Sequence, residues 1–216
     1  MMEFLKTLLD SNEIIQTGGL FLIILIVFAE NGLFFGFFLP GDYLLFSAGL
    51  FCGTSALDVS ISILVLSISL AAILGSYTGY FFGKLIGRNL YRKKESLFFK
   101  YKYLVQTRFY YMKYGGKTLI ISRFLPIVRT FAPILAGAVE MNFKKFSLFN
   151  FLGAIIWVFS LVLLGYYLGR QFPQITDYLE YIIIAFLLIT STIVIKGIIN
   201  IKKKAKVLTK IAKKKN

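Results

Sequence analysis

Histidine is absent from the 216 residues, and cysteine occurs once, at Cys52. The first absence removes imidazole acid–base chemistry and the commonest zinc ligand. The second excludes an intrachain disulfide framework and any multi-cysteine metal site, so no metal or other cofactor is expected. Acids are scarce as well: 10 Asp and Glu stand against 25 Lys and Arg, a formal net charge of +15. Only 16% of the residues are charged, whereas soluble domains carry about a quarter. Apolar residues take their place. They make up 57% of the chain and give a mean hydropathy of +0.74, which reads as an integral membrane protein. The basic residues gather at the ends of apolar runs. That is the positive-inside pattern, with attraction to anionic lipid head groups as a second consequence, and nucleic acid is not an expected partner.

Proline is also rare, and three of the four prolines interrupt apolar sequence. Proline inside a helix removes a hydrogen bond, and an arginine facing lipid costs several kcal/mol. The run from Thr118 to Val139 holds Arg123, Pro126, Arg129 and Pro133. It therefore reads as a broken or re-entrant element, buried in protein and lining a polar cavity, and not as a plain spanning helix. The apolar stretch from Gly19 to Phe51 is likewise interrupted, at Glu30-Asn31-Gly32 and at Leu39-Pro40-Gly41-Asp42. Its arms are about half the 20 residues that a span needs. Leu20–Ala29, Leu33–Leu39 and Tyr43–Phe51 are thus expected to be pieces of one re-entrant hairpin over 20–56. A kinked span followed by a short helix is the alternative.

The remaining elements follow from length and charge. Residues 1–18 form an amphipathic interfacial helix, with no cleavable leader expected. Residues 59–90 span the membrane, and Gly75, Gly79, Gly83 and Gly87 put a smooth face on that helix for close packing. Residues 92–117 are basic and aromatic, suited to lie on the cytoplasmic leaflet. A second re-entrant element covers 118–140, and spans are expected at 146–170 and 178–199. Residues 201–216 are a polybasic cytoplasmic tail. The whole is an all-α polytopic membrane domain over 19–200. Pro40 and Gly79 are 39 positions apart, as are Pro126 and Gly165. Small-residue exits follow each proline, Ser47-Ala48-Gly49 in one half and Leu135-Ala136-Gly137 in the other. This spacing predicts an inverted repeat of broken hairpin plus transmembrane helix, with one extra C-terminal helix.

Four ionisable residues lie inside apolar sequence: Glu30 and Asp42 in the first hairpin, Arg123 and Arg129 in the second. If the hairpins face each other, two carboxylates meet two guanidiniums. Such pairs could simply tie the hairpins together, although desolvation offsets much of their attraction. They could equally line a cavity for an anionic group, because the guanidinium fork matches phosphate or carboxylate. Acids in a partly dry cavity also suit proton coupling. The two readings are compatible.

Glu30, Pro40-Gly41-Asp42, Ala48-Gly49, the glycines from Gly75 to Gly87, Arg123-Phe124-Leu125-Pro126, Arg129-Thr130, Pro133, Ala136-Gly137, and Phe146, Asn150, Gly153 and Trp157 together resemble the DedA family, also called the SNARE-associated or VTT-domain family. The resemblance covers about residues 20–170. It implies a bacterial cytoplasmic-membrane protein that returns undecaprenyl (polyprenyl) phosphate from the outer to the inner leaflet, coupled to a proton or ion gradient. Arg123 and Arg129 would hold the phosphate, Glu30 and Asp42 would be the coupling or gating acids, and Pro40, Gly41, Pro126, Pro133 and Gly137 would shape the hairpins. Ser122 and Ile127 stand where the family commonly has glycine, which changes backbone freedom beside the arginines. A proton-coupled solute or drug transporter and a phospholipid scramblase are the alternative functions. A membrane enzyme is disfavoured, because phosphoryl-transfer sites use clustered acids for metal. A homo-oligomer is allowed.

Overall fold

The computed structural model describes residues 11–34, 36, 39, 41–90 and 116–172. Residues 1–10, Pro40, most of the basic segment 92–117, the span expected at 178–199 and the polybasic tail lie outside the described residues. The described residues form six helices and no β-strand: α1 (Ser11–Gly32), α2 (Gly41–Phe51), α3 (Ile61–Leu90), α4 (Lys117–Ser122), α5 (Pro126–Ala138) and α6 (Phe143–Gln171). Within α3 and α6, Ile61–Gly87 and Phe143–Gln171 are long and apolar enough to cross a membrane.

Each break has a local cause. Gly19 interrupts α1 at φ 52, ψ −147, backbone that only glycine adopts cheaply. Leu125 precedes a proline and is extended (φ −117, ψ 105), as the clash with a proline ring dictates. Pro126 then opens α5 at its first position, where its missing N–H costs nothing. Pro133 lies inside α5 and has no N–H to give the Arg129 carbonyl one turn back. The end of α5 is a Schellman closure. Glu140, at φ 54, donates its N–H to Gly137, and Met141 donates its N–H to Ala136. Asn142 then caps α6 by accepting from the Lys145 N–H at 3.2 Å.

The sequence places a break at Glu30-Asn31-Gly32, and the structure corrects this. These residues form the last turn of α1, and Asn31 Nδ2 donates to the Val27 carbonyl at 2.9 Å. The chain leaves the helix only at Leu33 and folds back so that Gly36 lies against the Glu30 backbone. Tertiary closeness keeps Glu30 on a rigid turn, which a reading of local polarity does not anticipate.

Helix α2 lies along α6, α5 lies along α3, and α1 packs on the first half of α3. The first two crossings are close enough to exclude a side chain. A Cβ on Gly137 would overlap the Tyr80 carbonyl, and one on Gly83 the Ile134 carbonyl. Across the other crossing, Gly49 faces the Val162 carbonyl and Gly165 that of Phe46. The glycine row of α3 serves two partners, Gly75 meeting α1 and Gly83 meeting α5, while Gly79 touches both. Two apolar clusters result. One joins α1, α2, the first half of α3 and the second half of α6 around Leu64, Ile68 and Val158. The other gathers Tyr80, Leu119, Ala136 and Phe146. Tyr80 also donates its hydroxyl to the Met141 carbonyl at 2.5 Å. Outside lie large apolar side chains such as Leu66, Leu70, Leu85 and Phe151, while Glu30, Ser76, Arg123, Arg129 and Asn150 are buried. A soluble protein would show the reverse.

Replacing Gly83 or Gly137 with leucine overpacks the α3–α5 crossing and should cost about 1–3 kcal/mol. Thermal unfolding in detergent checks this, with lipid-facing Leu85→Ala as the control expected to stay near wild type. The two leucines press on one crossing, so their combined effect should fall short of the sum.

Candidate functional site

Between the two apolar clusters each long helix carries a polar residue. On α3, Ser76 lies between Ile73 and Tyr80, and on α6, Asn150 lies between Phe146 and Ala154. Four helix ends converge on this level. The last turn of α1 brings Glu30 and Asn31, and the first turn of α2 brings Asp42. Arg123 caps the end of α4, and Arg129 lies in the second turn of α5. Polar groups cluster here because helix ends leave backbone groups to satisfy and bring the chain inward at its breaks.

Two carboxylates and two arginines are brought together, but not as two pairs. Arg129 takes both acids: Nη1 donates to Asp42 Oδ1 and Nη2 to Glu30 Oε1. The guanidinium lies over the Trp157 ring, 4.7 Å from its centroid, and Trp157 Nε1 donates to Asp42 Oδ1 at 2.8 Å. Thr130 ties its hydroxyl to the Glu30 carbonyl at 3.2 Å. Gly41 admits the Glu30 carboxylate, because a Cβ there would overlap it. One cation, two anions and an aromatic face thus link α1, α2, α5 and α6.

Arg123 has no carboxylate partner among the described residues. Its Nη2 donates to Asn150 Oδ1 at 2.6 Å and to Ser76 Oγ at 3.0 Å, and its Nη1 points to Asn31 Oδ1 at 3.4 Å. Each acceptor is aimed by a second bond. Asn150 Nδ2 donates to the Ile73 carbonyl, Asn31 Nδ2 to that of Val27, and Ser76 Oγ to that of Ala72. These bonds leave oxygen lone pairs facing the guanidinium. Gly153 makes room for the arginine stem, and Ser122 turns its hydroxyl back to the Leu119 carbonyl at 2.8 Å. The cradle is neutral. Arg123 is only 4% exposed, so its charge is solvated by dipoles without being cancelled.

The expectation that both arginines meet acids is therefore corrected. Arg129 lies beside the end of α1 and the start of α2, whereas Arg123, before the break at Leu125, faces α3 and α6. Asn31, Ser76, Thr130, Asn150 and Trp157 are site residues that a search confined to ionisable groups passes over. The available signal was the amides and hydroxyls inside apolar helices. Of the residues singled out for shape, Gly41 and Gly75 touch the site directly, since a Cβ on Gly75 would meet Asn31. Pro133 lines a small cavity beside Arg123 and Arg129. Among the described residues no group of three or more His, Cys, Asp and Glu could hold a metal ion.

Removing one partner of a buried ion pair costs more than the pair contributes. Arg129→Gln should therefore lower stability by about 3–5 kcal/mol, leaving two carboxylates uncompensated. Adding Glu30→Gln in the same chain should restore part of the loss. Thermal unfolding of the single and double variants in detergent measures the coupling, and equal losses in both would refute this account of the site.

Comparisons with known proteins give the family of the chain. The family model described as VTT domain matches residues 39–167. Protein DedA of Escherichia coli K12 is 36% identical over 192 residues, 89% of this chain and 86% of the relative. The uncharacterized membrane protein Rv0364 of Mycobacterium tuberculosis H37Rv is 38% identical over 182 residues, 84% and 79% of the two chains. Inner membrane protein YqjA of Escherichia coli K12 is 31% identical over 178 residues, 82% and 80%. No solved structure matches the chain. With a domain match over more than half its length and relatives aligned along most of theirs, the chain belongs to the DedA family of VTT-domain membrane proteins.

Proposed function

We propose that the protein is a translocase for a polyprenyl phosphate such as undecaprenyl phosphate, moving the lipid from the outer to the inner leaflet of the bacterial cytoplasmic membrane. The observation that carries this reading is the state of Arg123: a buried guanidinium held by three neutral acceptors, with no carboxylate of its own among the described residues. A phosphate oxygen would give this guanidinium an anionic acceptor of its own. The isoprenoid tail stays in lipid while the head group crosses. In this reading 20–56 and 118–140 are re-entrant hairpins of an inverted repeat, and the C-terminus is cytoplasmic. The reciprocal packing of α2 on α6 and of α5 on α3 is consistent with that plan.

Charge counting connects transport to protons. Two arginines balance two ionised acids, so a bound phosphate adds negative charge to a buried site. A proton on Glu30 or Asp42 offsets it and loosens that acid from Arg129. Loading and proton uptake therefore favour each other, and transport should rise when the loading side is more acidic. The protein acts in this reading as a transporter and not as an enzyme.

The test is movement of undecaprenyl phosphate between leaflets of liposomes holding the purified protein. Arg123→Gln should slow it about ten- to a hundredfold, the worth of a charge-assisted hydrogen bond. Arg123 is the better target than Arg129, whose removal strands two acids. Absence of wild-type transport in either direction, with and without a pH gradient, would sink the polyprenyl reading. Proton flux driven by small solutes would then be sought in the same liposomes.

A further inference from the structure

Arg123 and Arg129 line one small cavity, together with Ser76, Leu119, Ser122, Pro133 and Asn150. The cavity has room for about one water. Neither Glu30 nor Asp42 is among its walls, although both bind Arg129. Its walls are the two arginines and otherwise uncharged side chains. The three bonds from Arg123 use three of its five N–H groups. Arg129 is 3% exposed, and its Nε–H, which the two acids leave free, has no acceptor among the described residues. Buried charges are ordinarily paired, and a buried N–H ordinarily finds an acceptor. Both arginines line this one space.

We propose that the cavity is a binding site for a small inorganic anion of halide size, chloride being the type, which serves as the counter-ion of Arg123. A monatomic anion accepts N–H donors from any direction and fits a space of this size. A larger oxyanion could insert only one of its oxygens. The site needs no carrier lipid, so it stands or falls separately from lipid translocation. When the carrier is present, its phosphate competes with the halide for the same guanidinium.

Trp157 is the only tryptophan in the chain, and its ring centroid lies 4.7 Å from the Arg129 guanidinium carbon and 6.0 Å from that of Arg123. It is a built-in reporter. The full-length protein in detergent is exchanged into sodium gluconate, whose anion is too large for the cavity, and titrated with sodium bromide at constant ionic strength. Quenching of Trp157 should saturate, and bromide or chloride should raise the unfolding temperature above that in gluconate. Both effects should vanish in Arg123→Gln. They should also vanish in Asn150→Asp, which sets a permanent carboxylate against Arg123 and keeps a bonded partner there. Quenching that rises linearly without saturation would overturn the proposal. So would an unfolding temperature indifferent to halide, halide effects kept in full by both variants, or stabilisation by inorganic phosphate but not by halides.

Discussion

A guanidinium cannot sit in the apolar interior of a membrane protein unless something offsets the loss of water. The architecture can be read as two different answers to that constraint. Arg129 is offset by charge, with Glu30, Asp42 and the Trp157 face around it. Arg123 is offset by dipoles, with Asn31, Ser76 and Asn150 turned toward it by bonds to their own helices. The first answer joins four helices into one unit. The second leaves a positive charge uncancelled where a ligand's negative charge would count most.

These answers depend on the breaks in the helices. A continuous span would present its side chains at the level its 3.6-residue period allows and would keep its backbone groups to itself. Ending α1 at Gly32, starting α2 at Gly41, stopping α4 at Ser122 and starting α5 at Pro126 bring four helix ends to the level of Ser76 and Asn150. The glycine crossings then hold α2 on α6 and α5 on α3 at backbone contact, which fixes the arginines within reach of their partners. Packing of small residues is the main means of association open to helices in lipid, where the hydrophobic effect gives no drive. Stability and site geometry therefore share the same glycine crossings.

The relatives add a coarser fact, membership in a family of membrane proteins, and the geometry adds what a family name does not supply. Asn150 and Ser76 belong to the candidate site beside the arginines, because their side-chain oxygens accept from Arg123. Trp157 has two jobs at once, covering Arg129 and fastening Asp42.

The sequence makes legible the membrane character, the helical class, the breaks around Leu125-Pro126 and Gly41-Asp42, and the four charges. Each is a local matter: hydropathy over a span length, a proline's missing N–H, a charge that stands out from apolar neighbours. It did not determine how far α1 continues, since Glu30 and Asn31 look like breakers until Gly75 and Gly36 pack against that turn. Nor did it determine which acid meets which arginine. That choice lies in residues about 90 to 100 positions apart in the chain, and it follows from how the helices cross. A hydrogen bond is set by the position and direction of two groups, and no one-dimensional pattern carries the crossing of α5 over α3 that turns Arg129 toward both acids and leaves Arg123 among amides.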